Sequence, residues 1–99
     1  MTLGESQKKF LRGLGHALKP LIVVGEAGLT DSLLAEFEST IAHHELIKIS
    51  VRVGDRGARD AVIDELCTRH SAELVQRTGN MALLYRRNPE RTKIRVPGK

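Results

Sequence analysis

The strictest constraint in this sequence is a period-two pattern between residues 47 and 53. Four β-branched apolar residues alternate there with three polar ones: Ile47, Ile49, Val51 and Val53 with Lys48, Ser50 and Arg52. Successive side chains of a β-strand point to opposite faces of the sheet. The pattern therefore predicts a strand with one face toward a core and the other, positively charged, toward solvent.

The remaining elements follow from apolar spacing and turn residues. Apolar residues at helical spacing predict helices over about residues 3–16, 31–43 and 58–71. Thr2 with Glu5 forms a capping-box pattern before the first helix, and Thr30 is a predicted N-cap of the second. A β-branched run over 21–24 predicts a buried strand, and segments 73–78 and 81–86 flank Gly79-Asn80, a hairpin turn dipeptide.

The predicted order is αβαβαββ in one α/β domain. We expect a four-stranded mixed sheet with helices mainly on one face and the other face partly open. A chain of 99 residues has room for one such domain. The predicted core comprises Leu14, Val23, Leu34, Phe37, Ile49, Val51, Val62, Leu66 and Leu84.

Hydropathy and cysteine content indicate where such a chain would work. The longest unbroken apolar run is Met81 to Tyr85, which is far short of a membrane span, and the N-terminus lacks a signal-peptide pattern. The single cysteine, Cys67, cannot form an internal disulfide. We expect a cytoplasmic protein with no membrane association. We also expect a monomer, because no long apolar stripe remains on the surface once the predicted core is built.

The positive charge is concentrated at the C-terminus. Residues 1–85 carry ten Lys/Arg and eleven Asp/Glu, a net −1, whereas residues 86–99 carry six basic residues and one acidic, a net +5. From Asn88 onward the chain also lacks an apolar face, although Ile94 and Val96 could dock locally. The sequence therefore predicts a domain over 1–87 and a basic, mobile tail over 88–99, which either contacts a polyanion or is only solvated.

Two Gly-x-x-Gly turns, Gly25–Gly28 and Gly54–Gly57, lie where a strand leads into a helix. Backbone N–H groups and a helix N-terminus can face a phosphate in this geometry, although glycine is also the ordinary residue of a tight turn. If the two strands run parallel, both turns lie at the strands' carboxyl ends, where α/β sheets usually bind ligands. Neither turn has the sequence of a P-loop or a dinucleotide-binding loop.

No motif indicates catalysis, a metal or a cofactor. The adjacent residues His43, His44 and Glu45 project in divergent directions and would not converge on one ion. His16 and His70 have no matched nucleophile and orienting acid nearby, and Cys67 is most simply a small buried apolar residue. We therefore expect a protein that is not an enzyme.

Four blocks of sequence resemble the CRM domain, named for chloroplast RNA splicing and ribosome maturation. They are Leu11-Arg12 with His16-x-Leu18-Lys19-Pro20; Val24-Gly25-x-x-Gly28-Leu29-Thr30; His44-Glu45-Leu46-Ile47-Lys48; and Gly79 with Leu84-Tyr85-Arg86. The resemblance covers residues 2 to about 87 and is greatest to the stand-alone bacterial form, the YhbY-like proteins. It implies a non-catalytic RNA-binding module, similar in fold to the C-terminal domain of a bacterial translation initiation factor and associated with precursors of the large ribosomal subunit.

The resemblance also suggests RNA-contacting residues. In the family, the Gly-x-x-Gly loop is taken to contact RNA much as the similar loop of KH domains does, and here it comprises Gly25, Glu26, Ala27 and Gly28. Glu26 departs from the pattern, because many relatives have a basic residue there and a carboxylate repels phosphate. Lys19, Lys48 and Arg86 fall on matching motif positions.

Other cations are candidates from their placement alone: Arg12, Arg52, Arg56, Arg59 and Arg87. Such residues are often only solvated, and Asp55, Asp60 and Glu45 are close enough in sequence to offset several of them.

The sequence thus gives a main hypothesis and an alternative. The main hypothesis is binding of structured RNA, namely large-subunit rRNA or its precursor particle, with the basic tail folding onto the RNA. Recognition would be of phosphate and shape, because only three aromatic residues are present. The alternative is a ribosome-assembly adaptor that binds mainly protein, with RNA contact limited to the tail. A small hydrolase or transferase would need a convergent nucleophile and base, which the sequence does not supply.

Overall fold

A computed structural model describes residues 3–98 and has three helices and four strands in the predicted order. The helices are α1 (Glu5–Gly15), α2 (Asp31–His44) and α3 (Arg56–His70), and the strands are β1 (Pro20–Val24), β2 (Leu46–Val51), β3 (Glu73–Thr78) and β4 (Met81–Tyr85). The sheet order is β1-β2-β4-β3. β1 and β2 are parallel and the other pairs antiparallel, so the predicted mixed four-stranded α/β domain is confirmed.

Side-chain caps fix where the helices begin. Thr30 is the N-cap of α2, as predicted, and its Oγ1 accepts from the Leu33 amide at 3.2 Å. The Asp55 carboxylate caps α3 by accepting from the Ala58 amide at 2.9 Å. α1 begins at Glu5, two residues later than predicted, after the N-cap Gly4. The predicted capping residue Thr2 lies outside the described residues.

The sheet buries apolar side chains on both faces. α2 and α3 cover one face, where Phe37, Ile41, Ile63 and Leu66 pack on inward residues of the strands. α1 lies on the other face, where a second cluster contains Leu3, Leu11, Leu46, Val75, Leu83, Tyr85 and Val96. The helices are therefore mainly on one face, as predicted, and the opposite face, which we call the α1 face, is open only in part.

The two-sided cover changes the environment of β2. We expected its polar residues to face solvent, but Ser50 is fully buried and Lys48 is half-buried. β2 is an interior strand of the sheet, and α1 and the C-terminal segment pack on the face that Lys48 and Ser50 share. The strand also ends at Val51, before Arg52 and Val53.

Two predicted core residues are exposed instead. Leu14 keeps 42% and Val23 keeps 53% of its accessible surface. In α1, Leu11 and Gly15 form the buried contact one helical turn apart, which turns Leu14 away from the sheet. In the edge strand β1, alternation points Ile22 and Val24 inward and leaves Val23 on the α1 face.

The other predicted core residues pack as expected. Phe37, Ile49, Val51, Leu66 and Leu84 are fully buried. Leu34 and Val62 are partly buried against the same cluster.

Residues 88–98 lie against the domain. The side chain of Glu45 is fully buried; its Oε2 accepts from the Asn88 amide at 2.6 Å, and its Oε1 accepts from the amides of Lys93 and Ile94 at 2.7 and 2.8 Å. Val96 is buried in the second cluster. The docking anticipated for Ile94 and Val96 is therefore present, and the division of the chain at residue 87 stays a prediction. The mobility predicted for the tail in solution stays a prediction.

The contact between α1 and β4 predicts opposite effects of one substitution at two glycines of α1. A Cβ on Gly15 would lie 2.5 Å from Leu83 Cδ2, whereas one on Gly13 would meet nothing within 4 Å. Gly13→Ala should raise the free energy of unfolding by about 0.5–1 kcal/mol, because alanine loses less backbone entropy in a helix. Gly15→Ala should lower the free energy of unfolding by about 1 kcal/mol, because overpacking against Leu83 costs more than the gain in backbone entropy. Urea unfolding of both variants measures the difference, and equal stabilisation by both would contradict the packing described here.

Candidate functional site

Three turns lie together at one edge of the sheet, the edge formed by the carboxyl ends of β1 and β2. Because β1 and β2 are parallel, both Gly-x-x-Gly turns lie beyond their carboxyl ends, and the Arg52 amide donates to the Val24 carbonyl at 2.7 Å. The hairpin turn joins them there, since the Val51 amide donates to the Asn80 carbonyl at 2.7 Å. We call residues 25–28, 54–57 and 79–80 the loop edge. The parallel arrangement on which the sequence argument depended is thus present.

The first glycine turn has a defined backbone. The Gly28 amide donates to the Gly25 carbonyl at 2.9 Å, and Gly28 has a φ of +72°, which favours glycine. The exposed residues Glu26 and Ala27 lie between them, and their amides donate to no acceptor within residues 3–98. The turn therefore offers two free N–H groups, in front of the N-terminus of α2.

Acidic residues weaken the affinity of this turn for an anion. Glu26 is exposed and pairs with no cation among the described residues, and Asp31 occupies the first turn of α2. Arg52 is a cation beside this turn, since its amide donates to the Val24 carbonyl at 2.7 Å and its Nε donates to Ser50 Oγ at 3.3 Å. The positive charge beside the glycine turn thus comes from the neighbouring strand.

The second turn adds cations whose predicted acidic partners are occupied elsewhere. Asp55 caps α3, and Asp60 pairs with Arg77 at 3.0 Å. Arg56 is exposed at the start of α3, and Arg59 is half-buried with a buried Nε that has no partner among the described residues. Asp55 and Asp60 therefore do not neutralise Arg56 or Arg59 in this structure.

Lys19, Lys48 and Arg12 lie away from the turns. Lys48 lines a shallow cleft on the α1 face together with His16 and Leu83. Lys19 is exposed just before β1, and Arg12 is half-buried on α1. These cations are spread over the surface between the loop edge and the opposite edge of the sheet.

Arg86 lies at the opposite edge and is engaged in an ion pair. Its guanidinium donates two hydrogen bonds of 2.8 Å to the two carboxylate oxygens of Glu38, and one of 3.0 Å to the His70 carbonyl. The hydrogen bonds from Arg86 and then from His70 lower the pKa of Glu38 to about 2. Arg86 thus bridges α2, α3 and β4, and the predicted RNA contact would require breaking a bidentate pair.

The same edge has a second cleft, which the sequence did not predict. It lies between the end of β4 and the C-terminal segment, and its lining residues are Tyr85, Arg87, Thr92, Ile94, Arg95 and Val96. Arg87 was a candidate, but Tyr85 and Arg95 were not. The alternation of Ile94, Arg95 and Val96 was the available signal, because it presents two apolar side chains to the domain and a cation between them.

The described residues offer little for catalysis or metal binding. Within residues 3–98, no group of three His, Cys, Asp or Glu side chains could hold a metal ion. Burial raises the pKa of the Cys67 thiol to about 11, which keeps it protonated at neutral pH. Over the same residues, no helix has the length and apolar content to cross a bilayer.

Comparison with known proteins supports the resemblance seen in the sequence. The model of the CRS1 / YhbY (CRM) domain family matches residues 3–86. A Pseudomonas aeruginosa protein named a probable RNA-binding protein is 46% identical over 93 residues, which are 94% of this chain and 89% of that protein. A Haemophilus influenzae protein named an RNA-binding protein is 42% identical over 98 residues, 99% of this chain and 98% of the relative.

A more distant sequence relative and a solved structure also match the chain. A Bacillus subtilis protein named a probable RNA-binding protein is 33% identical over 95 residues, covering 96% of this chain and 99% of its own length. The solution structure of a hypothetical Staphylococcus aureus protein, described as a candidate RNA-binding protein, superposes with a TM-score of 0.82 at 29% identity. That match covers 97% of this chain and 100% of the other.

The Glu38–Arg86 pair predicts a pH dependence of stability. A carboxyl pKa lowered from 4.5 to about 2 stabilises the fold above pH 4.5, and this contribution is lost as pH falls toward 2. Since the Glu38 side chain is 50% exposed, solvent screening reduces the effect to about 1 kcal/mol. As pH falls from 4.5 toward 2, the Glu38→Gln variant should therefore lose less stability than the wild type. Urea unfolding at several pH values measures the difference.

Glu36→Gln is the control, because Glu36 is exposed on the same helix and forms no ion pair within residues 3–98. The Glu36 variant should keep the wild-type pH profile. A wild-type profile for Glu38→Gln as well would show that the pair does not contribute.

Proposed function

Because the chain belongs to the CRS1/YhbY (CRM) domain family, we propose that it is a non-catalytic protein that binds structured RNA. Its relatives in Pseudomonas, Haemophilus and Bacillus are named as RNA-binding proteins. We further propose large-subunit rRNA or its precursor particle as the target, in ribosome assembly in the cytoplasm, with the protein acting as a monomer.

The observation that carries this proposal is the convergence of turns and cations at the loop edge. The parallel pairing of β1 and β2 places the Gly25–Gly28 turn beside Arg52, and α3 begins with Arg56 at the same edge. Free amides in a turn and nearby guanidinium groups are the donors that phosphate oxygens accept from. Lys48 and Lys19 extend the positive charge across the α1 face.

The few aromatic residues favour recognition of backbone and shape over stacking of bases. Phe37 and Tyr85 are buried, and Phe10 is 37% exposed. A site that stacks several splayed bases needs several exposed rings. We therefore expect phosphate contacts to provide most of the affinity, so that binding weakens as salt is added.

Glu26 provides a test of the glycine turn. If the turn faces phosphate, Glu26→Lys removes a repulsion and adds an attraction, and affinity for a structured large-subunit rRNA fragment should rise by about 1 kcal/mol, or about fivefold. Glu36→Lys is the matched control, since it changes the net charge equally from an exposed position on α2. Fluorescence titration at several salt concentrations measures both.

The two variants separate a local effect from a general one. Equal gains from Glu26→Lys and Glu36→Lys would mean that only net charge matters, which would remove the turn from the site. No gain from Glu26→Lys would have the same consequence.

The alternative function, an adaptor that binds mainly protein, is favoured by one observation. Leu21 and Val23 are 50% and 53% exposed on the edge strand β1, and Phe10 and Leu14 are exposed on α1, which lies on the face to which those strand residues point. Exposed apolar side chains gathered on one face are typical of protein contacts. The four residues could hold a protein segment without involving the glycine turns.

Salt dependence and a surface variant distinguish the two functions. If the protein binds RNA, log K should fall with log salt by about 0.7 to 0.9 per phosphate contacted. The double variant Leu21→Ser/Val23→Ser should then leave the RNA affinity unchanged. Both residues are exposed, so the double variant should still fold. Binding to a large-subunit precursor particle that is insensitive to salt and lost in this variant would establish the adaptor function instead.

A further inference from the structure

The cleft between β4 and the C-terminal segment is lined by apolar and cationic side chains. Its volume of about 420 Å³ lies within the range of pockets that hold small ligands, about 300–1,000 Å³. Tyr85, Ile94 and Val96 provide apolar and aromatic surface, and Arg87, Arg95 and Thr92 provide polar groups.

No acidic side chain lines this cleft, and its two guanidinium groups are free. Arg87 and Arg95 are exposed and form no ion pair within residues 3–98. Two carboxylates lie nearby. Glu45 is fully buried and accepts hydrogen bonds from three backbone amides of the C-terminal segment. Glu73, which pairs with Tyr85 across β3 and β4, accepts from the Leu3 amide at 3.1 Å. The cleft is therefore electropositive, and it contains two of the chain's unpaired cations.

The tyrosine at the base of the cleft remains a hydrogen-bond donor. Burial, followed by the charge of Glu45, raises the pKa of Tyr85, and Arg87 acts in the opposite direction. Its hydroxyl is therefore protonated at neutral pH. The ring is 2% exposed, so a ligand would contact its edge and hydroxyl and would not stack on a free face.

The cleft is far from the loop edge. β4 begins at the hairpin turn and ends at Tyr85, so its five residues separate the two places by about 15 Å at 3.3–3.4 Å per residue. A single phosphate group cannot contact both. An RNA that contacts both must extend across the sheet.

We propose that this cleft is a second RNA-binding site, which holds one backbone phosphate between Arg87 and Arg95 with its ribose against Ile94 and Tyr85. This inference rests on the proposed function and adds to it a site formed by the C-terminal segment. A phosphate suits the cleft because two guanidinium groups without ion-pair partners line it and no carboxylate is among its lining residues. The apolar lining suits the sugar of a nucleotide better than a free ion.

Point variants in the full chain test the site. Deleting residues 88–99 would not, because Val96 belongs to the second core cluster and Glu45 would lose its three donors. Arg95→Ala and Arg87→Ala remove exposed side chains and leave these contacts in place. Arg91→Ala is the matched control, because Arg91 is an exposed cation of the same segment that does not line the cleft.

The measurement is a fluorescence titration of each variant with a structured large-subunit rRNA fragment at several salt concentrations. Arg95→Ala and Arg87→Ala should each lower the affinity about fivefold to tenfold at low salt and reduce the salt slope by about 0.7 to 0.9, the loss of one phosphate contact. Arg91→Ala should change the affinity less than about twofold. Equal losses for Arg91→Ala and Arg95→Ala would overturn the proposal, because they would show a diffuse effect of tail charge.

Amide spectra of the wild-type chain give a second, independent readout. Addition of the RNA should shift the signals of residues 92–96 as well as those of residues 25–28. Shifts at the loop edge alone would overturn the second site and leave the proposed function standing. If the wild type shows no salt-dependent RNA binding, the proposed function itself fails.

Discussion

The burial of β2 on both faces is the constraint on which the rest of this structure depends. β2 pairs with β1 on one side and with β4 on the other, while α2 and α3 cover one face and α1 and the C-terminal segment cover the other. Five of its six residues are buried. The parallel partner fixes the two glycine turns at one edge, and the antiparallel partner brings the hairpin turn to the same place. The candidate RNA-binding surface is therefore a consequence of how this strand is surrounded.

Glu45 links the end of α2 and the start of β2 to the C-terminal segment. It is the C-cap of α2 with a φ of +65°, so its backbone turns the chain directly into β2 while its side chain points into the interior. A buried carboxylate is costly unless it is fully hydrogen-bonded, and here three amides of the C-terminal segment satisfy it. The same contacts hold the basic residues of that segment beside β4, so one buried acid determines where several cations lie.

The sequence predicted the element order from local spacing and turn residues, and it predicted a mixed sheet. It placed both glycine turns at one edge only on the condition that β1 and β2 run parallel, which they do. It failed where burial depends on neighbours distant in sequence. The alternation in β2 indicates a strand, but nothing in it shows that a helix covers Ser50. Apolar content alone assigned Val23 to the core, whereas its place on an edge strand exposes it. Arg86 matched a family motif, yet its engagement by Glu38 became visible only when α2 and β4 were brought together. The cleft beside Tyr85 exists only once the C-terminal segment has docked, so the alternation of Ile94, Arg95 and Val96 alone does not define it.

The position of β4 in the sheet has a consequence for synthesis of the protein. Within residues 3–98, β4 joins β3 to the rest of the sheet, yet it follows the other three strands in sequence. Leu46 pairs with Tyr85, and Ser50 pairs with Met81, so β2 gains its second neighbouring strand only when β4 is present. Until then β2 has an open apolar edge, and the non-local contacts that close it carry a large loop-closure entropy. A nascent chain therefore cannot close this sheet until residues 81–85 have been synthesised.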